Sequence, residues 1–138
     1  MKQADGPGWG GVRPWMRLGS ATVCWVMAAC VGGDAGRVAF TPPPTPTELT
    51  AGEALFNLHC SRCHGVHAVG TDSGPSLVHE IYRPSHHGDE AFTLAVRVGV
   101  AAHHWRFGDM PPQPQVADSL VPPIRDYVRW LQRSAGVR

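Results

Sequence analysis

Cys60-Ser61-Arg62-Cys63-His64, a pentapeptide near the middle of the 138-residue chain, decides how the rest is read. Thiols at i and i+3 lie about one helical turn apart, so both can form thioethers with the vinyl groups of one porphyrin. The histidine beside the second thiol then falls beneath the iron. Two rivals for a C-x-x-C pair fit less well. A thioredoxin-like redox pair expects a βαβ context, and no alternating strand pattern flanks this one. A zinc site needs two more ligands, and histidines could supply them, yet the grammar of a C-x-x-C pair followed by H-x₃₋₅-H is absent. The motif therefore predicts one covalent haem c, attached at Cys60 and Cys63 and ligated by His64.

Helical signals surround the pentapeptide. Thr50 and Glu53 read as a capping box ahead of Ala54-Leu55-Phe56, which predicts a helix from 51 to about 60. Leu77 and Ile81 share a face and predict a short helix over Ser76–Tyr82, stopped by Pro84. Asp89 reads as the cap of a helix over 90–98, with Phe92, Ala95 and Val96 inward and Gly99 as terminator. Pro122-Pro123 suits the first turn of a last helix that buries Ile124, Tyr127, Val128 and Leu131 at i, i+3, i+4 and i+7. The result is an all-α domain of three to five helices over residues 50–134, with 135–138 as a tail. So small a domain is near the lower limit for a self-sufficient core, and a large apolar cofactor would add to it.

The order of these segments resembles the class I cytochrome c family across essentially the whole domain. The helix leading into the attachment motif reads Gly52-Glu-Ala-Leu-Phe56-Asn-Leu-His-Cys60-Ser-Arg-Cys63-His64-Gly65. A Gly-Pro-x-Leu segment reads Gly74-Pro75-Ser76-Leu77, a methionine loop reads Phe107-Gly108-Asp109-Met110-Pro111-Pro112, and a closing aromatic helix carries Tyr127-Val-Arg-Trp130-Leu131. Ser85-His-His-Gly88 and His103-His-Trp105 look similar to a subset of small bacterial modules. The resemblance implies a cytochrome c-like fold packed around the haem. His64 would give its second ring N–H to the Pro75 carbonyl, and Met110 would be the sixth ligand. His/Met ligation raises the potential, because soft sulfur favours ferrous iron. Of the four methionines, at 1, 16, 27 and 110, only Met110 falls inside the domain. His103 and His104 compete for the distal position. Trp105 would give its indole N–H to a haem propionate, or only pack.

Ahead of the domain, Arg13 and Arg17 precede the uncharged, mostly apolar run Leu18–Ala29. Twelve residues suit a signal-peptide h-region and are short of the ~20 that span a bilayer. Translation begins at Met1 or at Met16. Met27-Ala28-Ala29-Cys30 resembles a bacterial lipoprotein signal, which makes residues 1–29 the signal peptide and Cys30 the lipidated residue. The alternative is ordinary cleavage and a soluble periplasmic protein. Residues 30–49, Gly-rich and then Pro-rich through Thr41-Pro-Pro-Pro-Thr-Pro-Thr47, predict an extended polyproline II tether.

Composition narrows the partners. A single lysine and scattered arginines give no nucleic-acid footprint, and the whole chain carries +1 with histidine neutral. From Cys30 onward nine arginines face ten acidic residues, so long-range steering is weak. The expected function is single-electron shuttling between a donor and an acceptor redox protein on the periplasmic side of a membrane, through interfaces below roughly 1,200 Å². Haem-attachment machinery is the other implied partner. The chain is expected to be no enzyme in itself. Alternatives are a tethered haem subunit of a larger oxidoreductase, or a gas- or peroxide-binding protein if Met110 leaves the iron open. All eight histidines fall between His59 and His104. The pairs 86/87 and 103/104 read as surface or hydrogen-bonding residues, with a second metal site as the rarer option.

Overall fold

A computed structural model describes residues 36–138, so the expected signal peptide over 1–29, Cys24 and Cys30 lie outside the described residues. The described residues form four α-helices: α1 (Thr50–His59), α2 (Ser61–His64), α3 (Glu90–Val98) and α4 (Val121–Ser134). Short 3₁₀ turns lie between them. The only β pairing among the described residues is two isolated bridges, Thr71 with Gly74 and Val100 with Met110.

The crossing of α1 and α4 forms the core. Phe56 of α1 and Tyr127, Val128 and Leu131 of α4 have no exposed surface, and the Phe56 and Tyr127 rings lie 5.7 Å apart. The helices come this close because Gly52 has no side chain. A Cβ there would collide with the Pro123 carbonyl and press on the Tyr127 Cβ. Gly52→Ala is therefore expected to destabilise the domain by about 1–3 kcal/mol through overpacking, although alanine is the better helix former by about 1 kcal/mol. Urea unfolding of the haem-loaded protein reads this directly, and an unchanged midpoint would show that the helices part without cost.

The helix positions follow the sequence pattern more closely than their caps do. Thr50 is no N-cap: its hydroxyl donates to the Thr47 carbonyl at 2.8 Å, because the chain enters α1 through a 3₁₀ turn at Thr47–Leu49. Asp89 stands at the N-cap of α3 but makes no capping bond, since its carboxylate accepts from Arg129 Nε at 2.9 Å. Gly99 ends α3 at φ 77°, a backbone conformation that glycine adopts without strain.

The helix expected over Ser76–Tyr82 does not form; only a 3₁₀ turn at Glu80–Tyr82 is present. Long-range and local side-chain bonds replace it. Leu77 N–H and the buried Ser76 hydroxyl both donate to the Ala68 carbonyl, while Ser76 Oγ accepts from Val78 N–H and His79 Nδ1 from Ile81 N–H. Serine side chains that bond their own backbone compete with helix in this way.

The packed part is also wider than residues 50–134. Val38 N–H donates to the Val69 carbonyl, the Gly36 carbonyl accepts from Ser76 N–H, and Val38, Phe40 and Leu49 pack against the core. Residues 36–40 thus dock onto the domain and are no free tether. Pro46 keeps the extended proline geometry expected of the stretch, at φ −57° and ψ 145°. In the C-terminal tail, Val137 is buried and its N–H donates to the Gln132 carbonyl.

Candidate functional site

The pentapeptide folds as one tight turn at the end of α1. Cys60 N–H donates to the Phe56 carbonyl, and the Cys60 carbonyl accepts from both Cys63 N–H and His64 N–H. Thr71 Oγ1 donates to the Cys63 carbonyl at 2.6 Å and Gly70 N–H to that of His64 at 2.7 Å, so the following loop clamps the turn. Both thiols are free; Cys60 is half-buried and Cys63 exposed. Burial, with the neighbouring Cys63 charge, pushes the Cys60 thiol up to about 11.

His64 Nδ1 lies 2.8 Å from the Pro75 carbonyl oxygen. A carbonyl only accepts, so Nδ1 carries the proton. Burial holds the ring below its ordinary pKa, with the Pro75 bond opposing that shift. The neutral ring therefore keeps the lone pair on Nε2, the form needed to bind a metal.

His64, Cys60 and Pro75 border an apolar cleft with about 1120 Å³ of atom-free space, counted to its mouth in solvent. Phe92 and Val96 of α3 face it, as do Ile124 and Val128 of α4, Leu77 and Phe107. Met110 reaches the same cleft from another loop. Val100 and Met110 exchange both backbone hydrogen bonds at 2.9 Å, and this bridge closes the loop between them. Pro111 and Pro112 then restrict the backbone after Met110.

Trp105 lines the cleft too, but its indole N–H donates to the Tyr82 hydroxyl at 2.9 Å. Its ring stands edge-on to His79, with centroids 4.9 Å apart. Tyr82 is a cleft residue that sequence reasoning did not single out. Burial raises its pKa, against the lowering effect of the Trp105 bond. His103 and His104 also line the cleft, together with His87. Burial and neighbouring imidazoles hold His87 and His104 below the ordinary histidine range. His59 and His67 are absent from the cleft lining, and His67 borders a separate surface hollow with Pro42–Pro44 and Glu53.

The donor set fits a covalent haem. An apolar cleft with the Cys60 thiol in its wall, the exposed Cys63 thiol one turn further on, an imidazole with an available Nε2 and a thioether offers what an iron porphyrin needs and little that a polar ligand would use. The cytochrome c family model matches residues 49–132.

The chain belongs to the cytochrome c family.

No curated protein and no solved structure matches it. As a cytochrome c domain it is a haem-c electron-transfer protein, and haem c is its covalent cofactor. The family match runs from the entry to α1 as far as Gln132 of α4, so it takes in the attachment turn, the cleft walls and the Met110 loop together.

Proposed function

We propose that this cytochrome c is a mono-haem shuttle, passing single electrons between redox proteins in the periplasm while lipid at Cys30 holds it to a membrane. The observation that carries the redox part is that His64 and Met110, from two separated segments, line one apolar cleft. Thioethers at Cys60 and Cys63 would fasten the haem, whose iron supplies a one-electron couple. His64 Nε2 would be the proximal ligand, with its ring orientation set by Pro75. The Met110 thioether would fill the distal position and hold the potential high. With both positions taken by the protein, no small substrate is needed. The Val100–Met110 bridge and the two prolines keep the sulfur in place, and apolar walls exclude water, so little rearranges when the charge changes.

His103 and His104 border the same cleft and favour a second reading, in which a histidine ligates or the iron opens to a gas. Absorption spectra of protein made with haem-attachment machinery separate the two. A methionine-to-iron charge-transfer band is expected in the oxidised form, absent in Met110→Ala, together with rapid carbon monoxide binding by the reduced variant only. Rapid stoichiometric carbon monoxide binding by the unaltered protein would replace the shuttle with a gas-binding protein. Membrane anchoring is tested separately: Cys30→Ala should move the protein from the membrane to the soluble periplasmic fraction.

A further inference from the structure

The segment after Tyr82 and the loop between Val100 and Met110 bring two His-His pairs together. His86 Nε2 and His104 Nε2 lie 3.4 Å apart. One ring nitrogen from each of His86, His87 and His104 falls within 4.8 Å of the other two. A nitrogen pair at 3.4 Å is long for a hydrogen bond, whose usual span ends near about 3.2 Å. It is close to the spacing of two ligands on one metal: imidazoles bound at about 2.0–2.1 Å sit about 3.4 Å from each other in tetrahedral geometry and about 2.9 Å apart as neighbours in a tetragonal site.

From this geometry we propose that His86, His87 and His104 form a second metal site, separate from the haem ligands, that takes copper. His87 Nδ1 lies 2.8 Å from the Ile81 carbonyl, so that nitrogen holds the proton and Nε2 is left to bind. A carbonyl behind a ligating imidazole is the usual arrangement that fixes ring and tautomer. The segment is itself anchored, because the buried Arg129 donates to both the Tyr82 and His87 carbonyls. His86 is exposed, so a modest rotation of its ring closes the remaining distance.

The ligand set also selects the metal. Three imidazoles, with Arg129 behind His87 and no carboxylate among them, offer nothing to hard, oxygen-seeking cations. Nitrogen donors suit late first-row ions, and copper(II) stands highest among these in affinity. His87 and His104 border the haem cleft as well, so the site lies at the cleft's rim.

Copper(II) titration of the untagged, haem-loaded protein tests this, with metal content measured after dialysis and electron paramagnetic resonance of the bound ion. The expected result is one retained copper per chain with coupling to several nitrogens. The double variant His86→Gln/His104→Gln should bind at least about 100-fold more weakly, while His67→Gln, on a different surface, binds as before. Unchanged far-UV circular dichroism in both variants shows that the domain remains folded, independently of the place of His104 at the haem cleft. Loss of copper on dialysis, or equal retention by the double variant, would overturn the site. Tighter binding of zinc(II) than of copper(II) would overturn the choice of metal.

Discussion

Arg129→Met is expected to remove about 3–5 kcal/mol of stability, more than any single truncation on the exposed surface of this domain. Arg129 is 6% exposed, yet it makes four hydrogen bonds. Nε donates to Asp89, one terminal nitrogen to the Tyr82 carbonyl and Gln132 Oε1, and the other to the His87 carbonyl. The guanidinium carbon also sits 5.0 Å from the centre of the Phe92 ring. Methionine keeps much of the aliphatic volume and supplies no donor. Asp89 is half-exposed and water can solvate it, so it accounts for little of the loss. The penalty comes from Gln132 Oε1 and the His87 carbonyl, each at about 1–3 kcal/mol when left unmatched, because the Tyr82 carbonyl keeps its bond from Gln132 Nε2. Urea unfolding of the haem-loaded protein measures the effect, and in a domain of about 100 residues the melting temperature should fall by well over about 10 °C. A loss under about 1 kcal/mol would mean that water replaces the guanidinium and the network contributes little.

This network marks the boundary of what the sequence discloses. The apolar stripe of α4 was legible because Ile124, Tyr127, Val128 and Leu131 repeat at the helical period, and they are buried as that period implies. Arg129 and Gln132 are buried on the same helix without belonging to the stripe. Their partners are carbonyls of Leu77, Tyr82 and His87, which only the folded chain brings near. The same cause explains the caps that did not form. Thr50 and Asp89 have capping chemistry, but a preceding 3₁₀ turn claims one and Arg129 the other. The helix read into Ser76–Tyr82 failed because hydrogen bonds to Ala68 outweigh one apolar pair at i and i+4.

The site divides along the same line. Cys60, Cys63 and His64 were legible because their chemistry is set by adjacent positions, and their turn is closed by local hydrogen bonds. Pro75 and Met110 entered through a family likeness, since nothing local in Gly74-Pro75 or Asp109-Met110 points to a shared cleft. The structure brings both to it. Tyr82 as the acceptor of the Trp105 indole, and the meeting of the two His-His pairs, had no local signal at all. The sequence shows two pairs of histidines, and only the chain's return between Gly99 and Met110 makes them neighbours.

Cys60→Ala/Cys63→Ala is expected to abolish covalent haem attachment and to loosen one side of the domain far more than the other. The asymmetry follows from where each helix finds its burial. α1 and α4 bury Phe56, Tyr127, Val128 and Leu131 mainly against each other. α3 has no buried residue; Ala91, Phe92, Ala95 and Val96 are half-buried and face the cleft. The loop from Val100 to Met110 lines the cleft as well, held by the Val100–Met110 bridge, an Ala102 N–H bond to Asp109 Oδ1 and the Trp105 bond to Tyr82. Fully burying a side chain such as Phe92 or Val96 contributes about 1.5–3 kcal/mol, so covering the remaining half of both adds about 1.5–3 kcal/mol of local stability. Each ~1.4 kcal/mol is tenfold in an opening equilibrium. Amide hydrogen exchange in α3 and the loop should therefore speed up by about 10-fold or more in the haem-free double variant, relative to the haem-loaded protein. Amides of α1 and α4 should accelerate much less, because the Gly52 crossing remains. Unchanged protection across α3 would show that its apolar face is stabilised by the polypeptide alone. Equal loss in all four helices would show instead that the α1–α4 pair cannot stand without the cofactor.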